Sequence, residues 1–104
     1  MLEARGGRSV ARVKKYMVER YLPGIDADQL DEASRRLAVA ARALARQGFE
    51  VRYLGSTFVP EEESCFCRFE SVGVDDVRRA CERAGVSFAR IVETRDFFPS
   101  KEEQ

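Results

Sequence analysis

The sequence predicts an α+β domain in which a four-stranded antiparallel sheet carries two helices on one face, in the order β-α-β-β-α-β. Three observations predict it. Two amphipathic stretches, Leu30 to Leu44 and Val77 to Ala84, repeat apolar residues at spacings of three and four, and short runs rich in β-branched and aromatic residues flank them. The stretch Leu54 to Glu70, LGSTFVPEEESCFCRFE, reads as a hairpin whose tip is Pro60 followed by three glutamates. The order strand, helix, strand falls on both sides of that tip. Right-handed crossovers then place both helices on one sheet face, with strands ordered 4-1-3-2.

Residues 1–11 hold Arg5, Gly6, Gly7, Arg8 and Ser9 without apolar periodicity and read as a loose N-terminal extension. The folded domain is expected over 12–98, with 99–104 as a C-terminal tail. Strand one, 13–22, stops at Pro23-Gly24. The first helix has Asp26 as N-cap with Gln29 as its capping-box partner and Ile25 placed to staple against Leu30. Leu30, Ala33, Leu37, Ala40, Ala41 and Leu44 form its inward stripe, Asp31, Arg35, Arg42 and Arg46 lie outside, and Gly48 ends it. Strand two, 49–59, has a bulge marker at Gly55, and strand three is CFCRFE. A second helix, Val74 to Ala84, follows Gly73 as N-cap, with Asp75 and Asp76 in its first turn and Val77, Ala80, Cys81 and Ala84 inward. Strand four is SFARIVETRDF. This arrangement is the ferredoxin-like one.

Composition narrows the function. Eighteen basic and eighteen acidic residues cancel in a chain of 104, which lacks the electrostatic footprint of a nucleic-acid or anionic-membrane binder. RNA-binding domains of this topology present paired aromatics on strand three, whereas the outward pair here is Phe66 and Arg68. No run reaches the roughly 20 apolar residues of a membrane span, and the N-terminus has no apolar signal core, so a cytoplasmic location is expected. Three cysteines, an odd number, are expected to be reduced thiols. Cys65 and Cys67 leave one strand face about 6.5 Å apart, beyond the roughly 3.8 Å Cβ separation of a disulfide or of two sulfurs on tetrahedral zinc, so buried packing is expected of them. The glutamates Glu61, Glu62 and Glu63 read as solvated charge. The absence of histidine removes Ser/His/Asp and Cys/His chemistry.

At VERYLPGI (Val18 to Ile25), STFVPEEESCFCRFES (Ser56 to Ser71) and RAGVSFARIVE (Arg83 to Glu93) the chain resembles a family of small ferredoxin-like domains catalogued as a domain of unknown function, the nickel-binding-protein-like family. The resemblance spans residues 13–95 and is most specific at the hairpin. It implies the same fold, a homodimer formed sheet to sheet, and a metal role. The family's nickel site rests on histidines. None is present here, so no metal ligand is carried over and no cofactor is expected.

Helices on one face leave the other sheet face bare, which suits a partner surface. If Val18, Cys65, Cys67, Phe69 and Val92 point to the helices, alternation sends Glu19, Arg68 and Glu93 to the bare face on three adjacent strands. These three are the candidate ligand-binding residues. Enclosed by a second subunit, they form a structural ion pair or a small-molecule anchor; the alternative is a cofactor-independent enzyme using the two carboxylates as an acid/base pair beside Arg68.

Overall fold

Residue parity along the first strand decides where the core lies. The computed structural model describes residues 13–100, so the expected extension 1–11 and residues 101–104 of the tail lie outside the described residues. Strand β1, Lys14–Tyr21, buries Tyr16, Val18 and Arg20 and leaves the intervening side chains toward the opposite face. It pairs antiparallel with β3, Ser64–Ser71, on one side and with β4, Arg90–Thr94, on the other, while β2, Val51–Val59, pairs with β3 at the far edge. The sheet order β2-β3-β1-β4 is the expected ferredoxin-like order read from the other edge.

Helix α1, Ala27–Arg46, starts at the expected capping box: the Gln29 amide donates to Asp26 Oδ1 at 2.8 Å and the Asp26 amide to Gln29 Oε1 at 3.0 Å. It ends in a Schellman closure. Gly48, at φ +100°, donates to the Ala45 carbonyl and Phe49 to that of Leu44. That closure takes up Phe49 and Glu50, so β2 begins at Val51 rather than at residue 49. Helix α2, Val74–Ala84, buries the expected Val77, Ala80, Cys81 and Ala84. The two helices lie side by side, with Arg36 Nε donating to the Ala84 carbonyl at 2.9 Å. Ala43, which follows Arg36 and Ala40 along that stripe, is buried as well. Val18, Leu37, Cys67, Phe69, Val77 and Cys81 are the heart of the core between helices and sheet.

Strand β4 is shorter than expected. Its ladder with β1 runs only from Lys15, opposite Thr94, to Glu19, opposite Arg90, although β1 itself continues to Tyr21. Ser87 to Ala89 lead in without ladder pairing, apart from an Ala89 amide bond to the Glu19 carbonyl at 2.7 Å, and Phe97 and Phe98 are exposed beyond the end. The hairpin tip also departs from expectation. Glu63 is not free charge: its carbonyl accepts from Leu22 at 2.7 Å and its carboxylate from the Gly24 amide at 3.0 Å, tying the tip to the loop after β1.

Candidate functional site

Two places concentrate chemistry. The first is the open sheet face. Lys15, Met17 and Glu19 from β1, Phe66, Arg68 and Glu70 from β3, Arg52 and Thr57 from β2, and Arg90, Val92 and Thr94 from β4 occupy it by register. Of the residues expected there, Glu19 and Arg68 are present and Glu93 is not. Val18 faces Ile91 across the ladder and Tyr16 faces Glu93, so Ile91 and Glu93 take the helix side while Val92 turns outward. The reason is register. Ile91 and Val92 are both apolar, and pattern alone does not say which of the two points inward. Glu93 sits beside Tyr16, whose hydroxyl pKa is raised by burial and then by that carboxylate.

The expected Glu19–Arg68–Glu93 cluster is therefore not assembled. Glu19 instead accepts from Arg90 Nε at 2.9 Å, a bond that raises the Arg90 pKa. Arg68 reaches the other way, donating from Nη1 to Thr57 Oγ1 at 2.8 Å. Its guanidinium lies over the β2 bulge, where a Cβ on Gly55 would stand 3.1 Å from Arg68 Nη2. Among the described residues, Arg68 has no carboxylate partner.

The second place lies on the opposite side of the sheet, beneath α1. A cavity of about 220 Å³ is lined by Leu30, Asp31, Ser34 and Leu37 of α1 and by Arg20, Ser56, Phe58, Cys65 and Cys67 of the sheet. Cys65 and Cys67 are 2% and 1% exposed, as expected for packed thiols. Their setting is polar, however. A file of hydroxyls runs from Ser34 Oγ to Tyr53 OH at 2.9 Å and on to Ser56 Oγ, and Ser56 stands opposite Cys67 in the ladder and lines the cavity with both thiols. Tyr53 is held by its ring, tilted against Phe69 at 5.3 Å between centroids.

Arg20 was missed by the sequence reading. Only 8% exposed, it donates from Nε to the Ser87 carbonyl, and no carboxylate among the described residues neutralises it. The signal was available: Arg20 shares strand parity with Val18, the residue placed at the centre of the core. The consequence appears on the sulfurs. Cys65 is pulled below the ordinary thiol range by a hydrogen bond from Cys67 and, against the cost of burial, by Arg20 and Ser56. Cys67 is pushed up in return, so the pair shares one proton. Cys81, behind them on α2, is pushed up to about 11 by burial.

The hairpin-centred fold and its sheet order bear on kinship. The profile of the family described as nickel responsive protein SCO4226-like matches residues 16–94. The chain belongs to that family. It is similar to the crystal structure of SCO4226 from Streptomyces coelicolor A3(2), at 25% identity with a TM-score of 0.64, covering 81% of this chain and 99% of that one. No curated protein matches it. Among the described residues no helix is long and apolar enough to cross a membrane.

Proposed function

We propose that this member of the SCO4226-like family is a homodimeric binding or accessory module, assembled through the open sheet face and working in the cytoplasm without nucleic-acid or membrane partners. The observation that carries this reading is the composition of that face. Met17, Phe66 and Val92 are half-buried on three adjacent strands, and among the described residues none of them belongs to the core between sheet and helices. Around them stand both signs of charge, Lys15, Glu19, Arg52, Arg68, Glu70 and Arg90, so a two-fold copy of the face is complementary to itself. Glu19 and Arg68 are the groups that a small ligand at the seam would meet.

The family's description raises nickel, and the donors present do not fit it. The chain has no histidine, and among the described residues no three His, Cys, Asp or Glu side chains converge. An enzyme using two carboxylates beside Arg68 loses its geometric support, since Glu93 lies on the other face. Light scattering with Phe66→Glu tests the dimer. The native chain is expected at about twice 11.8 kDa and the variant at the monomer mass with its circular dichroism retained. A native monomer at high micromolar concentration would overturn the reading.

A further inference from the structure

The thiol cavity lies across the sheet from the face described above, and the dimer reading does not use it. Four features coincide there. An arginine more than nine-tenths buried lacks a carboxylate partner among the described residues, although an uncompensated buried cation is costly. Two thiols stand beside it on one strand face. A row of hydroxyls, Ser34, Tyr53 and Ser56, reaches those thiols from the rim. Open volume of about 220 Å³ meets them, and two of its lining residues, Asp31 and Ser56, are exposed at the surface.

We propose that this cavity is a modification site at which Cys65 reacts with small hydroperoxides, with Arg20, its partner across the ladder, as fixed counter-charge and Cys67 as its neighbour on the same strand face. The cavity's size suits a small oxidant, and its lining of guanidinium and hydroxyl donors suits a polar one rather than an apolar alkylating agent. The Cys65 sulfur attacks the proximal oxygen: the S–O bond forms, the O–O bond breaks, and sulfur gives up two electrons. The distal oxygen leaves as hydroxide or alkoxide beside Arg20 and takes a proton from solvent, giving Cys65 sulfenic acid and water or an alcohol. The reaction stops there. Alternate residues of one strand hold their Cβ atoms about 6.5 Å apart, against roughly 3.8 Å in a disulfide, so Cys67 does not close onto the oxidised sulfur.

The groups that set the charge on Cys65 are Cys67 on its own strand β3, Arg20 on β1 and Arg68 acting through the sheet, while Asp31 on the α1 wall is the titratable group that faces it across the cavity. Ser56 on β2 adds a neutral donor. Cys81 is the internal control, a thiol of the same chain that burial holds up to about 11 although Arg20 and Arg78 pull it the other way.

The test is oxidation of the reduced full-length chain by one equivalent of hydrogen peroxide at pH 6.5, trapped with dimedone and mapped by mass spectrometry. A single adduct on Cys65 is expected, forming at least about tenfold faster than on free cysteine, whose thiolate is scarce at that pH. Arg20→Met and Cys67→Ser should each slow it while Cys65→Ser abolishes it, with circular dichroism reporting that each variant is folded. If Arg20→Met fails to fold, the pH profile of the native rate decides, since a midpoint well below that of free cysteine supports the proposal and an ordinary midpoint defeats it. Labelling on Cys81, labelling only in denaturant, or a Cys65–Cys67 disulfide as the product would overturn it.

Discussion

Leu37→Ala probes the helix-to-sheet core at a point where burial and open space meet. Leu37 is 1% exposed at the middle of α1, and the substitution removes three carbons from the interior. At about 0.8 kcal/mol for each buried methylene, the transfer cost is about 2.4 kcal/mol. In tightly packed cores the void left behind carries such substitutions to about 5 kcal/mol. Here the lost atoms merge with the cavity beneath α1, which Leu37 already lines, so fewer contacts are forfeited and the expected loss is about 2 to 3 kcal/mol. In a domain of this size that corresponds to a fall in melting temperature of roughly 10 to 20 °C. Arg42→Ala, on the exposed face of the same helix, should stay within about 0.5 kcal/mol. Urea titrations of both variants at one pH make the comparison. Equal midpoints would mean that α1 buries a different stripe.

Gly55→Ala should destabilise by about 1 to 3 kcal/mol: at φ +137° any side chain is strained, and the new Cβ also crowds the Arg68 guanidinium, which can swing aside, so the backbone dominates. Denaturant midpoints of Gly55→Ala beside Gly55→Asn measure it, and unchanged midpoints would refute the strain. Stability should also depend on pH through the thiols. Cys65, lowered from 9 to about 6 in the fold, contributes stability that is fully present by pH 9 and lost as pH falls toward 6, while the raised Cys67 and Cys81 work against the fold above pH 9. The denaturation midpoint of the native chain should therefore rise from pH 5.5 to 8.5, and Cys65→Ser should flatten that rise. Calorimetric titration with nickel should give no micromolar binding; stoichiometric binding that is lost in Cys65→Ser would place a thiolate metal site in the cavity instead. Glu63→Ala should speed hydrogen exchange at the Gly24 amide, because it removes that amide's carboxylate acceptor.

Elements with strong local signals were legible in the sequence: both helices, their caps, the hairpin, and hence the strand order. Alternation on β3 was equally clear, because Cys65, Cys67 and Phe69 are separated by Phe66 and Arg68 and only one set can fill the core. It failed on β4, where Ile91 and Val92 offer two apolar choices and pairing with β1 makes the decision. Arg20 was hidden for a different reason. A charge is ordinarily read as outward, and what holds this one inside, the Ser87 carbonyl, belongs to a segment 67 residues away in sequence. A separation of 39 residues likewise hid Glu63's role, since a run of three glutamates gives no hint that the last one closes the loop at Gly24.

The extra residue in β2 has a consequence for the whole far half of that strand. Tyr53 and Ser56 share a hydrogen bond although they are three apart, an interval at which a regular strand places side chains on opposite faces. The bulge between Tyr53 and Gly55 absorbs the odd step, so Ser56 and Phe58 turn toward Cys67 and Cys65 while Thr57 and Val59 turn toward the open face. Pairing Leu54 into the ladder, with the bulge ironed out, would invert that half: Thr57 and Val59 would enter beneath α1, and Ser56 would leave the thiols. One bulged residue thus acts as a phase slip that assigns hydroxyls to the sulfur side and a partner for Arg68 to the other, and a chain that paired straight through it could keep this sheet order yet lose both sites at once.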